Sequence, residues 1–431
     1  MINNLPACIF FVALLSAFSV PGEILSPDIV YLEGQTLYDS QYPFLGLGVT
    51  YMQALRHCKY EPSRLDKELA FLSACGFKYV RILSMVDWQD QEIPPVSHKN
   101  RQGQSIAAWP DYDARLQELV DAVYSHGMRT QLTLFADAQY IMPDREARRH
   151  HVRRVLHDLK DRDEKIILYE IANEAWQNGF PGTEGIAMLQ SLGEEVAKHS
   201  QSLLALSSPP DIGNREEALR MLYANTPATI ATIHFSRDLR TESASWLPVV
   251  DCWNFSRYKE LPPISSNEPI GPGSSVASED DPELILSAAA FAYLAGLPMY
   301  VFHSAVGVKA EVSFESMPWL GEFKKLLALL PADLPNWEGF DGSNKDNPLT
   351  PQDNTINPLY NCCAREGNDF FMLSLALEGN KRTFRVNADA TLSIFSIMPI
   401  CSIGTKTVEQ EKLFTLSTTG KTCLIKGTIQ P

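Results

Sequence analysis

The sequence predicts an α/β fold, a (β/α)8 TIM barrel followed by a small C-terminal antiparallel β-sandwich. Short β-rich runs alternate with amphipathic helices from about residue 43 to 331, which is typical of a parallel barrel. After about residue 358 the pattern changes to short alternating strands. The length of 431 residues accommodates a barrel of about 250 residues and a second domain. The eight predicted barrel strands are 45–51, 77–83, 129–135, 166–171, 202–207, 229–235, 262–267 and 298–303.

Helix start signals lie between these strands. Ser63 and Asp144 are each predicted to cap an amphipathic helix, because their side-chain oxygens can accept from the first free backbone amides. Asp281 is followed by a proline at the first position of an apolar helix. A last helix over 319–330 is expected to close the ring.

Four segments follow from these patterns. Residues 1–19 are expected to form a signal peptide, because the apolar run is too short for a membrane span and ends in small residues. An uncleaved anchor or a buried first segment are the alternatives. Residues 20–331 form the predicted barrel, 332–357 a linker or covering loop rich in Pro, Asn, Asp and Gly, and 358–431 the sandwich. We therefore expect a secreted or periplasmic protein with no stable membrane span.

Composition narrows the class of partner. The formal net charge of −15 argues against nucleic acid, which requires a basic surface, and favours a neutral substrate such as a sugar. The eight cysteines include no Cys-x-x-Cys or Cys/His spacing typical of zinc, so no metal site is predicted. One or two disulfides are possible in a secreted chain, and most of the thiols are expected to be buried.

Two glutamates follow predicted barrel strands in similar contexts. Glu174 stands in Leu-Tyr-Glu-Ile-Ala-Asn-Glu-Ala-Trp and Glu268 in Pro-Ile-Ser-Ser-Asn-Glu-Pro-Ile-Gly, each directly after an Asn. The carboxyl ends of all strands of such a barrel meet at one mouth, where its chemistry is located. Glycoside hydrolysis requires two carboxylates there, one to protonate the leaving oxygen and one to attack the anomeric carbon or activate water.

Together these residues resemble the retaining glycoside hydrolases of clan A, most nearly family 5, which includes cellulases and β-mannanases. The resemblance covers about residues 43–331. It implies that Glu174 is the acid/base, Glu268 the nucleophile and Asn173 the residue that binds the 2-hydroxyl of the sugar. Arg81 matches the arginine of the second strand that supports the nucleophile and favours its ionised form. His234 matches the active-site histidine of the sixth strand.

The predicted sugar-binding wall departs from the family pattern. Trp176 and Trp88 are the expected stacking platforms, since a pyranose presents C–H groups to an aromatic face. The departures are Ser236 where the family often has Tyr, Asp137, Gln139 and Tyr140 where a His is common, and Phe302 and His303 where a Trp usually ends the eighth strand. These differences affect the expected substrate more than the expected reaction.

The sequence therefore predicts a retaining glycosidase that cleaves β-linked glycans of glucan or mannan type. Its expected partner is an oligo- or polysaccharide, with no nucleic acid, and the reaction needs neither a metal nor an organic cofactor. A transglycosylase would use the same residues, with a sugar hydroxyl in place of water. A catalytically inactive carbohydrate-binding barrel is the alternative from another class, suggested by the altered wall. The oligomeric state stays open.

Overall fold

The architecture is a barrel with an attached β-sandwich, as predicted. The computed structural model describes residues 28–40, 42–210, 215–235, 252–258, 260–268, 281–308, 313–353, 357–375, 381–417 and 421–431. The predicted signal peptide over 1–19 and Ser236 lie outside these residues.

Eight parallel strands form the barrel wall, each within a few residues of its predicted position. They are nearly continuous runs of buried residues, as expected for strands covered on both faces. From first to eighth they are Gly46–Thr50, Tyr79–Leu83, Arg129–Phe135, Ile166–Ala172, Leu203–Ala205, Ala231–Ile233, Ile264–Ser266 and Met299–Phe302.

The ring closes between the fifth and sixth strands. Every other neighbouring pair is joined by a parallel ladder, with one register shift at Thr130/Gln131 between the third and fourth strands. At the closing seam the carbonyl of Leu204 accepts from the amides of Thr229 and Ile230, at 2.9 and 3.1 Å. All eight carboxyl ends therefore surround one mouth.

Helices cover the outside of the ring and begin largely where the sequence predicts. Asp144 caps its helix through a hydrogen bond from the amide of Ala147, and Asp281 caps the apolar helix that starts at a proline. The prediction for Ser63 was wrong. That helix follows Glu61 and starts at Pro62, because a proline at the first position loses no hydrogen bond. The helices are Ala54–Tyr60, Pro62–Ala74, Tyr112–Ser125, Ala138–Ile141, Arg145–Leu159, Gly182–His199, Arg215–Tyr223, Pro282–Leu294, Ala305–Val308 and Gly321–Leu329, with 3-10 turns at Asp163–Lys165, Phe314–Ser316, Pro318–Leu320, Leu334–Asn336 and Pro358–Tyr360.

A small sheet closes the barrel at the end opposite the mouth. Its three antiparallel strands are Tyr31–Glu33, Thr36–Asp39 and Tyr42–Phe44. Leu37 is completely buried against the lower ends of the barrel strands, in one cluster with Met299 and Val301. The mouth is therefore the open end of the barrel. A two-stranded ribbon, His98–Lys99 with Ser105–Ile106, belongs to the long segment after the second strand.

The C-terminal region is a sandwich of a six-stranded and a three-stranded antiparallel sheet. The segment 332–357 was expected to be a linker or covering loop, but it contributes a strand to each sheet. The two strands are only three residues long, and Pro351 is the last residue of the second. The strands are Glu338–Phe340, Leu349–Pro351, Asn361–Glu366, Asp369–Ser374, Lys381–Val386, Ala390–Ile397, Ile400–Val408, Leu413–Ser417 and Cys423–Ile429.

One hydrophobic cluster contains residues of both the barrel and the sandwich, and the interior of the sandwich forms a second cluster of its own. The helix Pro282–Leu294 is buried along its whole length from Ile285 onward, because it lies between barrel wall and sandwich. Glu283 at its start accepts a hydrogen bond from the amide of Thr422 at 2.7 Å. None of the seven cysteines among the described residues forms a disulfide, and of these seven only Cys401 is exposed. None of the described helices is long and apolar enough to cross a bilayer.

Candidate active site

Four strands bring five of the predicted site residues to the mouth. Arg81 comes from the second strand, Asn173 and Glu174 follow the fourth, His234 follows the sixth and Glu268 the seventh. Glu174, Glu268 and Asn173 line one cleft of about 360 Å3, which lies in the range of about 300–1,000 Å3 usual for small-molecule sites.

The Glu268 carboxylate is buried and held from several sides. Arg81 Nη1 donates to its Oε2 at 2.8 Å, and His303 Nε2 lies 3.4 Å from its Oε1. Burial alone would raise the pKa of Glu268, but the charges of His303, His234 and Arg81 outweigh it and lower the pKa to about 2. Glu268 is therefore an anion at neutral pH, as a nucleophile must be.

Glu174 is more exposed than Glu268 and stands at a sharp bend. Its backbone has φ of 37°, a left-handed conformation uncommon for a side chain larger than glycine. The amide of the next residue, Ala175, donates to Ser207 Oγ at 2.9 Å, and Gln177 Nε2 donates to Glu174 Oε2. The bend keeps the carboxylate at the cleft, where the side chain is 24% exposed.

His234 lies between the two carboxylates. Its Nδ1 is 3.4 Å from Glu174 Oε1 and its Nε2 is 3.7 Å from Glu268 Oε2. Burial disfavours the protonated ring, but the carboxylates of Glu268 and Glu174 outweigh it and raise the pKa of His234. A single imidazole therefore spans the predicted catalytic pair.

Beneath the mouth, Glu170 joins the supporting residues into a buried network. Arg81 Nη2 donates to Glu170 Oε2 at 3.1 Å and to Asn173 Oδ1 at 2.7 Å. Asn267, the residue before Glu268, donates to Glu170 Oε1 at 2.7 Å, and Thr133 Oγ1 donates to Oε2 at 2.7 Å. Arg81 thus orients the Asn173 amide, and within the described residues its NH2 has no hydrogen-bond partner, so it can donate to a ligand in the cleft that Asn173 lines.

The two predicted stacking residues lie in different places. Trp88 lines the cleft. Trp176 is 44% exposed and is not among the residues that line it. Several residues differ from the family pattern that the sequence resembles. Of these, Asp137, Gln139 and Tyr140 line the cleft. Phe302 is instead buried against Trp319 and Phe323 on the outer side of the barrel wall.

Sequence reasoning missed Glu170 and gave no role to His303. A glutamate in the middle of an apolar strand requires a buried cation or several donors, and this signal was available for Glu170. His303 was noted only as the residue where a Trp was expected. Its Nδ1 lies 3.0 Å from Thr50 Oγ1, which orients the ring toward Glu268. Among the described residues, no group of three or more His, Cys, Asp or Glu side chains is arranged to hold a metal ion.

The fold defines the class: a (β/α)8 barrel with a C-terminal β-sandwich, an architecture found in solved glycoside hydrolases. One structure, described as a glycoside hydrolase, has a TM-score of 0.65 at 12% identity, with 93% of this chain and 96% of that chain covered. A glycoside hydrolase family 5 structure from Bacteroides vulgatus has a TM-score of 0.60 at 14% identity, with 93% of each chain covered. At these identities the likeness establishes the fold alone. The resemblance drawn from the sequence is therefore confirmed as a likeness of fold. No protein-family profile and no curated protein sequence matches the chain.

Proposed function

We propose that the protein is a retaining glycoside hydrolase that cleaves β-linked glycans of glucan or mannan type by double displacement. The observation that carries the proposal is the pair of Glu174 and Glu268 in one cleft, spanned by His234 at 3.4 and 3.7 Å. Similar solved structures described as glycoside hydrolases support it.

In the first step, Glu268 Oε attacks the anomeric carbon as the bond from that carbon to the leaving oxygen breaks. The electron pair of this bond goes to the leaving oxygen, which takes the proton from Glu174. The products are a glycosyl ester on Glu268 and a free alcohol. The Asn173 amide, oriented by Arg81, donates to the 2-hydroxyl of the reacting ring.

In the second step, Glu174 removes a proton from water as the water oxygen attacks the anomeric carbon. The ester bond breaks and its electron pair returns to Glu268 as a carboxylate. Arg81 and His303 stabilise this departing anion, because they contact its two oxygens separately. Two inversions leave the configuration of the sugar unchanged.

The first test is hydrolysis of β-linked polysaccharides and aryl β-glycosides by wild type, Glu268→Ala and Glu174→Ala. Glu184→Ala is the matched control, since that carboxylate is 78% exposed on an outer helix. Turnover that disappears in Glu268→Ala and survives in Glu184→Ala supports the proposal. Binding of a glycan without turnover by wild type would instead support the inactive carbohydrate-binding barrel.

A second test addresses retention directly. Proton NMR of the first-formed product should show the β-anomer from a β-glycoside. A 2-deoxy-2-fluoro glycoside with an activated leaving group should add one sugar mass to the peptide that contains Glu268. Release of the α-anomer would contradict the covalent route and indicate an inverting enzyme.

We also propose that the protein is exported, with residues 1–19 as the signal peptide. The apolar run over 5–19, which ends in Ala17-Phe18-Ser19, supports this proposal. Mass spectrometry of protein recovered outside the cytoplasm should find an N-terminus close to residue 20. An exported protein that still starts at Met1 would contradict cleavage.

A further inference from the structure

We propose that Arg101, clamped by Asp87 and Asp137 beside Tyr140 and Trp88, forms a subsite for a neutral sugar ring next to the ring that is cleaved. The inference rests on the proposed function, since it assigns a second position in the same cleft. Arg101, Asp137, Tyr140 and Trp88 all line that cleft with Glu174 and Glu268.

The guanidinium of Arg101 is fixed before any ligand arrives. Its Nη2 donates to Asp137 Oδ1 at 2.8 Å, and its Nε lies 3.8 Å from Asp87 Oδ2. The backbone amide of Arg101 also donates to Asp87 Oδ2 at 2.8 Å. Both carboxylates are buried, whereas the Arg101 side chain is 42% exposed. A side chain held in this way loses little freedom when it binds a ligand.

One end of the guanidinium remains available. Within the described part of the chain, Nη1 of Arg101 has no hydrogen-bond partner. Its two N–H groups therefore can donate to acceptors in the cleft, and sugar hydroxyls are such acceptors.

The two carboxylates that hold Arg101, Asp87 and Asp137, are linked by hydrogen bonds to the backbone at Asn173, next to Glu174. The amide of Asp137 donates to Asn178 Oδ1 at 2.7 Å, and Asn178 Nδ2 donates to the carbonyl of Asn173 at 2.8 Å. The amide of Asp87 donates to Asp137 Oδ2 at 3.0 Å. Asp137 itself has φ of 53°, a strained conformation that the surrounding hydrogen bonds maintain. A sugar bound at Arg101 is therefore held in a fixed position relative to Asn173 and Glu174.

Aromatic faces complete the subsite. The guanidinium carbon of Arg101 lies 5.2 Å from the centre of the Tyr140 ring, which is 36% exposed. Trp88 lines the same cleft. Donors beside aromatic rings match a pyranose, which has hydroxyls at its edge and C–H groups on its faces.

The local charge selects a neutral ring. One guanidinium faces two carboxylates, Asp87 and Asp137. Among the described residues, the imidazole of His98 also contacts this group, with its Nε2 3.2 Å from Asp87 Oδ1. Even with a protonated His98 the cluster carries no net positive charge. A uronic acid would therefore gain no attraction from this cluster, whereas hydroxyls still receive two directed donors.

The position separates this ring from the reacting one. Arg101 and Asp137 lie on segments that follow the second and third strands, whereas the reacting carbon must lie between Glu174 and Glu268, after the fourth and seventh. The subsite thus acts on substrates of more than one sugar unit.

The test compares wild type with Arg101→Met on an aryl β-monoglycoside and on β-1,4-linked gluco- and manno-oligosaccharides of two to five units. Loss of a hydrogen bond to a charged group is expected to lower the ratio of kcat/KM for the best oligosaccharide to that for the monoglycoside about 10–100-fold. Arg149→Met, a similarly exposed arginine on an outer helix, should leave the ratio unchanged. A uronate-bearing oligosaccharide should not be preferred by wild type.

Each contrary result has a distinct meaning. An unchanged ratio in Arg101→Met overturns the subsite, and a preference for the uronate overturns its neutral character. Absence of all turnover in wild type is a failure of the proposed function instead. In that case calorimetric binding of the same oligosaccharides decides the subsite, which requires weaker binding to Arg101→Met than to wild type and Arg149→Met.

Discussion

Replacing Arg81 with Met tests whether one cation holds the buried charges beneath the mouth together. Arg81 is completely buried and donates to Glu268 at 2.8 Å and to Glu170 at 3.1 Å. Met has a similar length and no charge, so the variant leaves two buried carboxylates without this counter-charge. Removing one partner of a buried ion pair costs about 3–5 kcal/mol, and we expect a loss of this size in the free energy of unfolding at pH 7.

This loss should become smaller in acid. The pKa of Glu268 falls from an ordinary 4.5 to about 2, because His303, His234 and Arg81 together outweigh the opposing effect of burial. A carboxyl with a depressed folded-state pKa stabilises the fold above its unfolded pKa, and this stabilisation disappears as the pH falls from 4.5 toward 2. The full stabilisation that the fold gains from the lowered pKa of Glu268 is about 3 kcal/mol, at about 1.4 kcal/mol for each pKa unit. Arg81 supplies part of it, so the gap between wild type and Arg81→Met should narrow below pH 4.5.

Urea unfolding at pH 7 and pH 3, followed by tryptophan fluorescence, measures both effects. Glu170→Gln completes a double-mutant cycle, because it removes one of the two uncompensated charges. The combined loss should then be smaller than the sum of the single losses by about 0.5–3 kcal/mol. Additive losses, or a gap that does not change with pH, would refute the assignment of Arg81 as the shared counter-ion.

Three further predictions concern the wall, the barrel and a helix cap. Trp88→Ala should lower kcat/KM for oligosaccharides by up to about tenfold, because Trp88 lines the cleft, and Trp176→Ala should have little effect; equal losses in kinetic assays would show that Trp176 also contacts the substrate. Gly48→Ala should destabilise the protein by about 1–3 kcal/mol, since the new methyl would lie 2.2 Å from the Tyr79 ring; an unchanged melting temperature would contradict this packing. Asp144→Ala should lower the free energy of unfolding by about 1 kcal/mol in the same assay, because the cap is lost. Asp144→Asn should keep most of the wild-type stability, because Asn can also cap a helix.

The barrel was predictable because buried parallel strands produce apolar runs of characteristic length, and the polar residues directly after them mark the mouth. Glu174 and Glu268 were found in this way. The strands within 332–357 were missed because each spans only three residues in a segment rich in prolines and asparagines, which favour turns. The sheet over 31–44 was missed for the same reason of length. This sheet is buried because it packs against the end of the barrel, and no local sequence pattern predicts that contact.

The supporting residues were harder to predict than the catalytic pair. Arg101 and Asp87 lie in a long segment whose conformation depends on contacts with Asp137, which is distant in sequence and is itself held by Asn178. The position of His303 was known, but its contact with Glu268 requires the register of the first, seventh and eighth strands. Such contacts arise from closure of the ring, so no single segment encodes them.

The helix between barrel and sandwich has an evolutionary consequence. Because Pro282–Leu294 is apolar on nearly every side and hydrogen bonds to the sandwich through Glu283, recombination could not exchange the sandwich for an unrelated module without exposing it. The two parts should therefore be inherited together, and substitutions on this helix should covary with those on Phe371, Leu373 and Leu424, which belong to the same core cluster. We therefore expect related barrels that have this apolar helix to have the C-terminal sandwich as well.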